Sequence, residues 1–365
     1  MRRFVALLLM LSLTLMLGAV TTTVCAADED WDAIIAAAKK EGLLVIYNPS
    51  SRMGEAAEGF TAKYGIEVQW AKMNDVEVSD RVVREHEAKA RGADVIVTED
   101  AAILMAQLLP QKYVINYVPS TCKDIIPQEY QDPLVYQFQP RIFGYNTEAY
   151  AESPIKNLWE LTTPKWHGKI AMRDPQFTST NLAWFAEIVE AADEMAAAYE
   201  KCFGEPITLT TPNAGWEFIK RLANNKPIMF NSDTSVAEAV GARGQADPPV
   251  GLYVLSKHRE IPAKNLALEA CYGLEPCMGY LYPAYVAITA NAASPNAAKL
   301  FVSYLLEEGV KAWTKDLGNF ATNPTIPSHP DDPLGGTEAW AMPLNAQTTV
   351  KYYGEIFDFW MKHAK

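Results

Sequence analysis

Short apolar runs alternate along this chain with longer segments in which apolar residues recur every three or four positions. A helical pattern over residues 31–42 precedes an apolar run at 43–47, and a second helical pattern begins after Ser51. Strand patterns at 66–72 and 93–100 follow, with a charged helical segment between them. Such alternation of strands and helices predicts an α/β fold.

The same order of elements returns in the second half of the chain. The run "KIAMR" leads through a hydroxyl-rich turn into a helical segment, and "PIMF" leads through "NSDTS" into another. The extended segment "GYLYPAYVAIT" precedes a helix for which Ser294 and Pro295 suit the cap and the first turn. Ligands of α/β sheets bind at the carboxyl ends of strands, so we expect a site at the turns that follow these strands.

Three of the turns that follow strands carry hydroxyl groups. Serine is a common N-cap, so one interpretation of each turn is a satisfied helix start. The other is an anion site, because the unpaired N–H groups of a helix start attract phosphate or carboxylate. One such turn is ordinary capping, but three of them favour a cleft with helix N-termini pointing inward. The candidate hydroxyls are those of Ser50, Ser51, Thr178, Ser179, Thr180, Ser232, Thr234 and Ser235.

Charged and aromatic residues accompany these hydroxyls. Arg52 is the nearest counter-ion for an anion held at the first turn, although it also suits a solvated helix start. Arg141 and Arg173 flank strands, where arginines often pair with acidic surface groups, and are weaker candidates. Tyrosine rings at strand ends either pack on a lobe surface or, at a cleft, stack on an organic group. The candidate tyrosines are Tyr47, Tyr145 and Tyr280.

The amino terminus has the layout of a secretory signal peptide over residues 1–26. Arg2 and Arg3 precede an apolar run that ends in small residues, which predicts cleavage near Ala26 or Ala27 and a periplasmic mature protein. A retained anchor and a lipoprotein modified at Cys25 are the alternatives. No later segment is long and apolar enough to span a bilayer.

The formal charge argues against nucleic acid as a partner. It is −12 for the whole chain, and loss of Arg2 and Arg3 with the signal peptide makes it −14. An anionic ligand remains compatible with this surface, because it feels the local pocket more than distant charges.

Four cysteines remain after processing, and export permits disulfides between them. Cys271 and Cys277 are close in sequence and form the first candidate pair, while Cys122 and Cys202 form the second. Spacing alone does not settle the connectivity. A metal site is disfavoured, since no histidine lies near these cysteines.

None of the common catalytic sequence motifs occurs in this chain. The sequence lacks HExxH, GxSxG, Walker A and GxGxxG patterns, and its five histidines share no motif. Glu99 and Asp100 form a carboxylate pair at a strand end, a pattern that suits a ligand contact or a helix cap better than acid–base catalysis. We therefore predict a binding protein that is not an enzyme and needs no cofactor.

Four segments carry a resemblance to the periplasmic solute-binding proteins of ABC importers, in the branch that includes ferric-ion-binding proteins. "VIYNPSSRMGEAAEGFTAKYGIEV" resembles the family's opening strand, ligand turn and helix, and "ADVIVTED" resembles its next ligand-bearing strand end. "IFGYNT" and "GYLYPAYVAI" are similar to its two crossovers between lobes. The resemblance implies a type II fold with two α/β lobes, crossover strands and a ligand cleft. Lobe 1 would comprise residues 28–144 and 283–365 with the C-terminal helices, and lobe 2 residues 145–282.

The resemblance also implies a function. Members of this family capture a small solute and deliver it to a membrane permease, and we expect this chain to do so as a monomer. A role in presenting the ligand to a membrane sensor stays open. Some branches bind sugar phosphates, phosphonates or phosphorylated thiamine in hydroxyl-rich helix starts, which "QFTSTN" and "NPSSR" resemble. Glu99 and Asp233 would then accept hydrogen bonds from hydroxyls or an amine of a phosphorylated or otherwise anionic solute.

One departure from the family pattern bears on the ligand. Ferric-binding members hold the metal with adjacent tyrosines at the turn of lobe 2, where this chain has Ser232, Asp233 and Thr234. Glu99 does match the family's acidic ligand position. A ferric-ion carrier that uses Glu99, Asp233 and nearby tyrosines is therefore the alternative to the anion-binding reading.

Overall fold

The computed structural model describes residues 29–332 and 341–364, so the predicted signal peptide lies outside the described residues. Within the described ranges, no helix combines the length and the apolarity needed to cross a bilayer. The segments 104–108 and 305–309 continue α4 and α10 as π-helix. The helices are α1 Trp31–Glu41, α2 Met53–Tyr64, α3 Asp75–Glu87, α4 Ala101–Ile103, α5 Ser179–Glu190, α6 Ala192–Phe203, α7 Ala214–Asn224, α8 Asp233–Gly241, α9 Ile261–Lys264, α10 Pro295–Tyr304, α11 Lys311–Thr314 and α12 Ala346–His363.

The strands form one continuous mixed sheet with the order β2-β1-β3-β10-β5-β8-β6-β7. The pairs β1–β2, β1–β3, β6–β7 and β6–β8 are parallel, whereas β10 runs antiparallel to both β3 and β5. The strands are β1 Leu43–Asn48, β2 Glu67–Lys72, β3 Val95–Thr98, β4 Val114–Ile115, β5 Val135–Asn146, β6 Ile170–Arg173, β7 Ile228–Phe230, β8 Val250–Val254, β9 Leu268–Ala270, β10 Gly279–Thr289, β11 Phe320–Ala321 and β12 Met342–Pro343.

The long strands β5 and β10 pass from one hydrophobic core to the other. Tyr136 of β5 and Val286 of β10 belong to a core that includes α1, α2 and α10. Phe143 of β5 and Tyr280 of β10 belong to a second core that includes α5, α6 and α7. We call the parts of the molecule around these cores lobe 1 and lobe 2. The two predicted crossover segments thus lie on strands that join the lobes.

Local sequence explains where the first elements begin and end. The Asp30 side chain accepts a hydrogen bond from the Ala33 N–H at the start of α1, and Gly42 ends the helix with a φ of 72°. The Asn74 and Glu77 side chains form a reciprocal capping box at the start of α3. These caps set the start and end of α1 and the start of α3.

The last helix, α12, packs on the core of lobe 2, whereas the family resemblance implies that it belongs to lobe 1. Its Ile356 and Trp360 are buried in the core of lobe 2, and the Trp360 ring stacks on Phe185 of α5 with centroids 5.1 Å apart. The apolar face of α12 packs against α5, a helix in which nearly all residues are buried. The remaining lobe boundaries stay a prediction.

The predicted disulfides are absent, because all four cysteines of the described residues are free. Cys122 lies in the core of lobe 1, whereas Cys202 packs at the edge of the core of lobe 2. Cys271 and Cys277 are both buried in lobe 2 without forming a bond to each other. Burial raises the pKa of the Cys277 thiol to about 11, so it behaves as a small apolar side chain.

Candidate functional site

A cleft of about 330 Å³ lies between the lobes, where the carboxyl ends of several strands meet. Lobe 1 contributes the turns after β1, β2 and β3, and lobe 2 contributes those after β6, β7 and β8. The site thus lies at the carboxyl ends of strands, as expected, although the turn after β8 was not predicted. The residues that line the cleft include Ser50, Ser51, Arg52, Lys72, Asp75, Glu77, Glu99, Arg173, Ser232, Asp233, Ser256, Lys257, Arg259, Trp313 and Asp316.

The turn after β1 is built by hydrogen bonds within lobe 1. The Ser50 hydroxyl accepts hydrogen bonds from Trp313 Nε1 at 3.0 Å and from the Arg52 backbone N–H at 3.2 Å. No side chain caps the first N–H groups of α2, and Ser51 is exposed beside them. Ser50 therefore serves the local structure, while Ser51 and the helix start face the cleft.

Arg52 is not a free counter-ion in this structure. Its Nε and Nη2 donate to the carboxylate of Asp316 at 2.9 and 2.6 Å. Arg259 of lobe 2 donates from Nη1 to the same carboxylate at 3.1 Å. Asp316 thus joins a guanidinium of each lobe at the cleft.

Asp233, at the start of α8, forms a bidentate ion pair with Arg141 beneath the cleft. Arg141 Nε and Nη2 each lie 3.0 Å from one oxygen of the carboxylate. Burial favours protonation of Asp233, but Arg141 and Arg173 outweigh it and keep its pKa below the ordinary value. The Asp233 carboxylate is therefore ionised and already engaged.

Thr180 and Tyr280, two predicted ligand contacts, belong to the same buried network. Arg141 Nη1 donates to the Thr180 hydroxyl at 2.6 Å and to the Tyr280 hydroxyl. The Tyr280 hydroxyl donates in turn to Asn181 Oδ1 at 2.6 Å. Neither residue lines the cleft, so both support the wall rather than form it.

Arg173, at the carboxyl end of β6, retains open donors. Its Nη1 lies 3.5 Å from Asp233 Oδ2, and its buried Nε has no hydrogen-bond partner among the described residues. The side chain is 15% exposed and lines the cleft. Arg173 is thus a guanidinium with room for an anion.

The wall of lobe 1 opposite Arg173 carries two neighbouring carboxyl groups. Asp75 Oδ1 accepts hydrogen bonds from the Thr98 hydroxyl at 2.9 Å and the Glu99 N–H at 2.7 Å. Burial, followed by the Asp75 charge, raises the pKa of Glu99 to about 8. At neutral pH the Glu99 carboxyl is therefore mostly protonated and can donate a hydrogen bond as well as accept one.

Glu99→Gln should stabilise the ligand-free protein increasingly as the pH rises. Between its ordinary value of 4.5 and about 8, unfolding releases the proton that folded Glu99 retains, so wild-type stability falls across this range. We expect the free energy of unfolding of the variant to exceed that of the wild type by about 1–2 kcal/mol at pH 8, since the side chain is only partly buried. Urea unfolding at pH 5 and pH 8 measures the difference.

Glu77→Gln is the matched control, because Glu77 is an exposed acid of the same cleft whose capping role glutamine can keep. Its unfolding at the same two pH values gives the effect of removing an exposed carboxylate of the cleft. An equal offset for Glu99→Gln at both pH values would contradict the assignment of a raised pKa.

Two predicted tyrosine contacts lie away from the cleft. Tyr47 is buried on the other face of β1, where its hydroxyl donates to Glu85 Oε1 at 2.9 Å. Tyr145 is buried in the core of lobe 2. Alternate residues of a strand point to opposite faces, so closeness to a strand end does not by itself place a side chain in the cleft.

The hydroxyl-rich turn before α5 lies deeper than predicted. Thr178 and Ser179 are both buried, and neither hydroxyl has a partner among the described residues. Ser179 and Glu99 line a second cavity of about 10 Å³, close to the space that one water molecule occupies. The nearby Asp100 caps α4, and burial raises its pKa to about 6.

Several residues that line the cleft were not predicted from the sequence. Asp75 lies at the start of α3, and Lys257 and Arg259 lie in the 3₁₀ segment Leu255–Glu260 that follows β8. Ser232 was predicted, and it caps α8 by accepting a hydrogen bond from the Ser235 N–H. For Lys257 and Arg259 the overlooked signal was the polar run "SKHRE" after the apolar run "VGLYVL", which is another strand-to-turn junction.

The metal alternative names two carboxyl groups of the cleft, those of Glu99 and Asp233. The described ranges contain no group of three or more histidine, cysteine, aspartate or glutamate residues placed to hold a metal ion. Asp233, one of the two carboxylates of the metal alternative, is neutralised by Arg141.

The chain matches one family model and is similar in fold to several solved structures. A family model described as bacterial extracellular solute-binding protein matches residues 55–343. No curated protein matches the chain.

The solved structures show a similar fold at low sequence identity. Iron-bound HitA from Pseudomonas aeruginosa has a TM-score of 0.70 at 18% identity, covering 88% of this chain and 99% of that chain. AfuA from Actinobacillus pleuropneumoniae, a periplasmic binding protein with fructose-6-phosphate bound, has a TM-score of 0.67 at 21% identity, with coverages of 88% and 98%. A ferric binding protein from Campylobacter jejuni has a TM-score of 0.65 at 18% identity, with coverages of 87% and 98%.

Proposed function

Because the chain belongs to the family of bacterial extracellular solute-binding proteins, we propose that it captures a small phosphorylated or otherwise anionic organic solute between its lobes. It would deliver this solute to the membrane permease of an ABC transporter from the periplasm. The lobes bind and release the solute without chemical change.

The observation that carries this proposal is the open guanidinium of Arg173. A guanidinium presents five N–H donors in a fork that matches carboxylate and phosphate oxygens. Arg173 has a single long contact to Asp233, and its Nε has no partner in the described part of the chain. A bound anion would accept hydrogen bonds from the terminal N–H groups of Arg173 and offset the positive charge that remains when one carboxylate faces two guanidinium groups.

The surrounding groups fit the rest of such a solute. The exposed Ser51 hydroxyl, which lines the cleft, offers a further donor for phosphate. The carboxyl groups of Asp75 and Glu99 across the cleft suit hydroxyl groups or an amine. Among the similar folds, AfuA is described with a sugar phosphate bound, a ligand of this kind.

A ferric ion is the alternative, since HitA and the Campylobacter jejuni protein are described as iron-binding. Ferric iron prefers anionic oxygen donors, and two features of this cleft oppose it. Asp233 is bound to Arg141, and the raised pKa of Glu99 leaves its carboxyl mostly protonated at neutral pH. We therefore favour the anionic organic solute.

The native mature protein should carry bound phosphorus without stoichiometric iron. Mass spectrometry with phosphorus and metal analysis of what co-purifies with the protein tests this directly. Calorimetric titration of the protein, stripped by unfolding and refolding, with fructose 6-phosphate, glycerol 3-phosphate, inorganic phosphate and ferric citrate then ranks the ligands. Stoichiometric iron, visible colour and no response to organic phosphates would replace the proposal with the ferric alternative.

A further inference from the structure

One carboxylate, that of Asp233, is shared by two arginines with unequal geometry. Arg141 binds both of its oxygens at 3.0 Å, whereas Arg173 reaches only Oδ2, at 3.5 Å. The Val254 backbone N–H also donates to Oδ1, at 3.2 Å. Both oxygens of the carboxylate are thus engaged by Arg141, and Arg173 makes the longest of the contacts to it.

The Arg141 side chain is fixed by contacts with Thr180, Tyr280 and Tyr282. It is fully buried, does not line the cleft, and lies on β5 opposite Tyr280 of β10. The Thr180 and Tyr280 hydroxyls accept hydrogen bonds from its Nη1, and the Tyr282 ring lies 5.1 Å from its guanidinium carbon. These contacts fix Arg141 on Asp233 and leave it no route to a bound solute.

We infer that Arg141 is a positioning residue of the anion site, which keeps Arg173 available to the solute by occupying Asp233. Without Arg141, the nearest cation to the buried carboxylate is Arg173. A small rotation would let Arg173 make the bidentate pair and withdraw its donors from the cleft. This inference rests on the proposed function, because it takes Arg173 as the anion-binding group.

The first test is the ligand-free crystal structure of Arg141→Met. We expect Arg173 to form a bidentate pair with Asp233 in this variant. Arg141→Lys serves the same purpose if the methionine variant does not fold, because lysine keeps the charge but cannot pair bidentately. An unchanged position of Arg173 relative to Asp233 would overturn the inference.

The second test is the affinity for fructose 6-phosphate. Arg141→Met should weaken binding by about tenfold or more, and adding Asp233→Asn should restore most of the affinity because the competing charge is gone. Arg221→Met is the matched control, since it removes an arginine that pairs with Glu217 in lobe 2 and does not line the cleft. Its affinity should stay near the wild-type value.

The outcomes separate this inference from the proposed function. Wild-type protein that binds none of the anions tested contradicts the solute class, and the ligand-free structure still decides whether Arg141 keeps Asp233 from Arg173. Wild-type binding together with equal losses in Arg141→Met and in the double variant contradicts the positioning role and leaves the solute class intact.

Discussion

Arg173→Ala should remove most of the affinity for an anionic solute. Truncating one partner of a desolvated charge pair costs about 2–4 kcal/mol of binding free energy, which is roughly 30- to 1,000-fold in Kd. The protein itself should stay folded, because Asp233 keeps its bidentate partner Arg141. Calorimetric titration with fructose 6-phosphate, or with the solute that co-purifies, measures the change.

Lys72→Ala is the control for the loss of one positive charge at the cleft without the loss of a specific contact. Lys72 also lines the cleft, is exposed, and forms no ion pair with any described residue, so its loss should change the Kd only a few-fold. Equal losses for the two variants would indicate diffuse attraction and would remove Arg173 from its assigned role. Arg173→Lys should fall between them, because an ammonium group cannot bind an oxyanion through two parallel hydrogen bonds.

Asp233→Asn should cause the largest loss of stability among substitutions at the cleft. It leaves the fully buried guanidinium of Arg141 without its counter-ion, which costs about 3–5 kcal/mol of unfolding free energy. Adding Arg141→Met should recover much of this loss, because no uncompensated charge then remains beneath the cleft. Urea unfolding of the single and double variants measures both effects.

Asp247→Asn provides the surface comparison for this ion-pair variant. Asp247 pairs with Lys169 where both side chains are solvent-accessible, so its loss should cost less than about 1 kcal/mol. If Asp233→Asn cost no more than this, water or the Thr180 and Tyr280 hydroxyls would have to compensate the buried Arg141 guanidinium. The structural role assigned to the pair would then be wrong.

Much of the fold was predictable because hydrophobic periodicity is a local signal. The α/β alternation, the Gly42 helix end and the strands β1, β3, β6 and β10 lie where the pattern indicates them. The predicted resemblance to extracellular solute-binding proteins is confirmed by the family match, and the predicted two-lobed fold by the similar structures. The position of α12 was not predictable, because its apolar face could pack on either lobe.

The site was predictable only in its outline. The turns after β1 and β7 do line the cleft, but the partners of their side chains come from far along the chain. Asp316 neutralises Arg52 from 264 positions away, and Arg141 reaches Asp233 across 92 positions. Sequence patterns show that a charge lies near a strand end, whereas its availability to a ligand depends on such distant partners.

The Asp316 carboxylate links the two lobes through ion pairs with Arg52 and Arg259, which should affect the rate at which the cleft opens. Separation of the lobes would break the ion pair between Arg259 of lobe 2 and Asp316, while Arg52 would keep the carboxylate on lobe 1. Because partly exposed ion pairs are screened by salt over about 8 Å at physiological ionic strength, the opening rate should rise as salt is added. A charged surface of a docking partner that competes for Asp316 or Arg259 would hasten solute release in the same way.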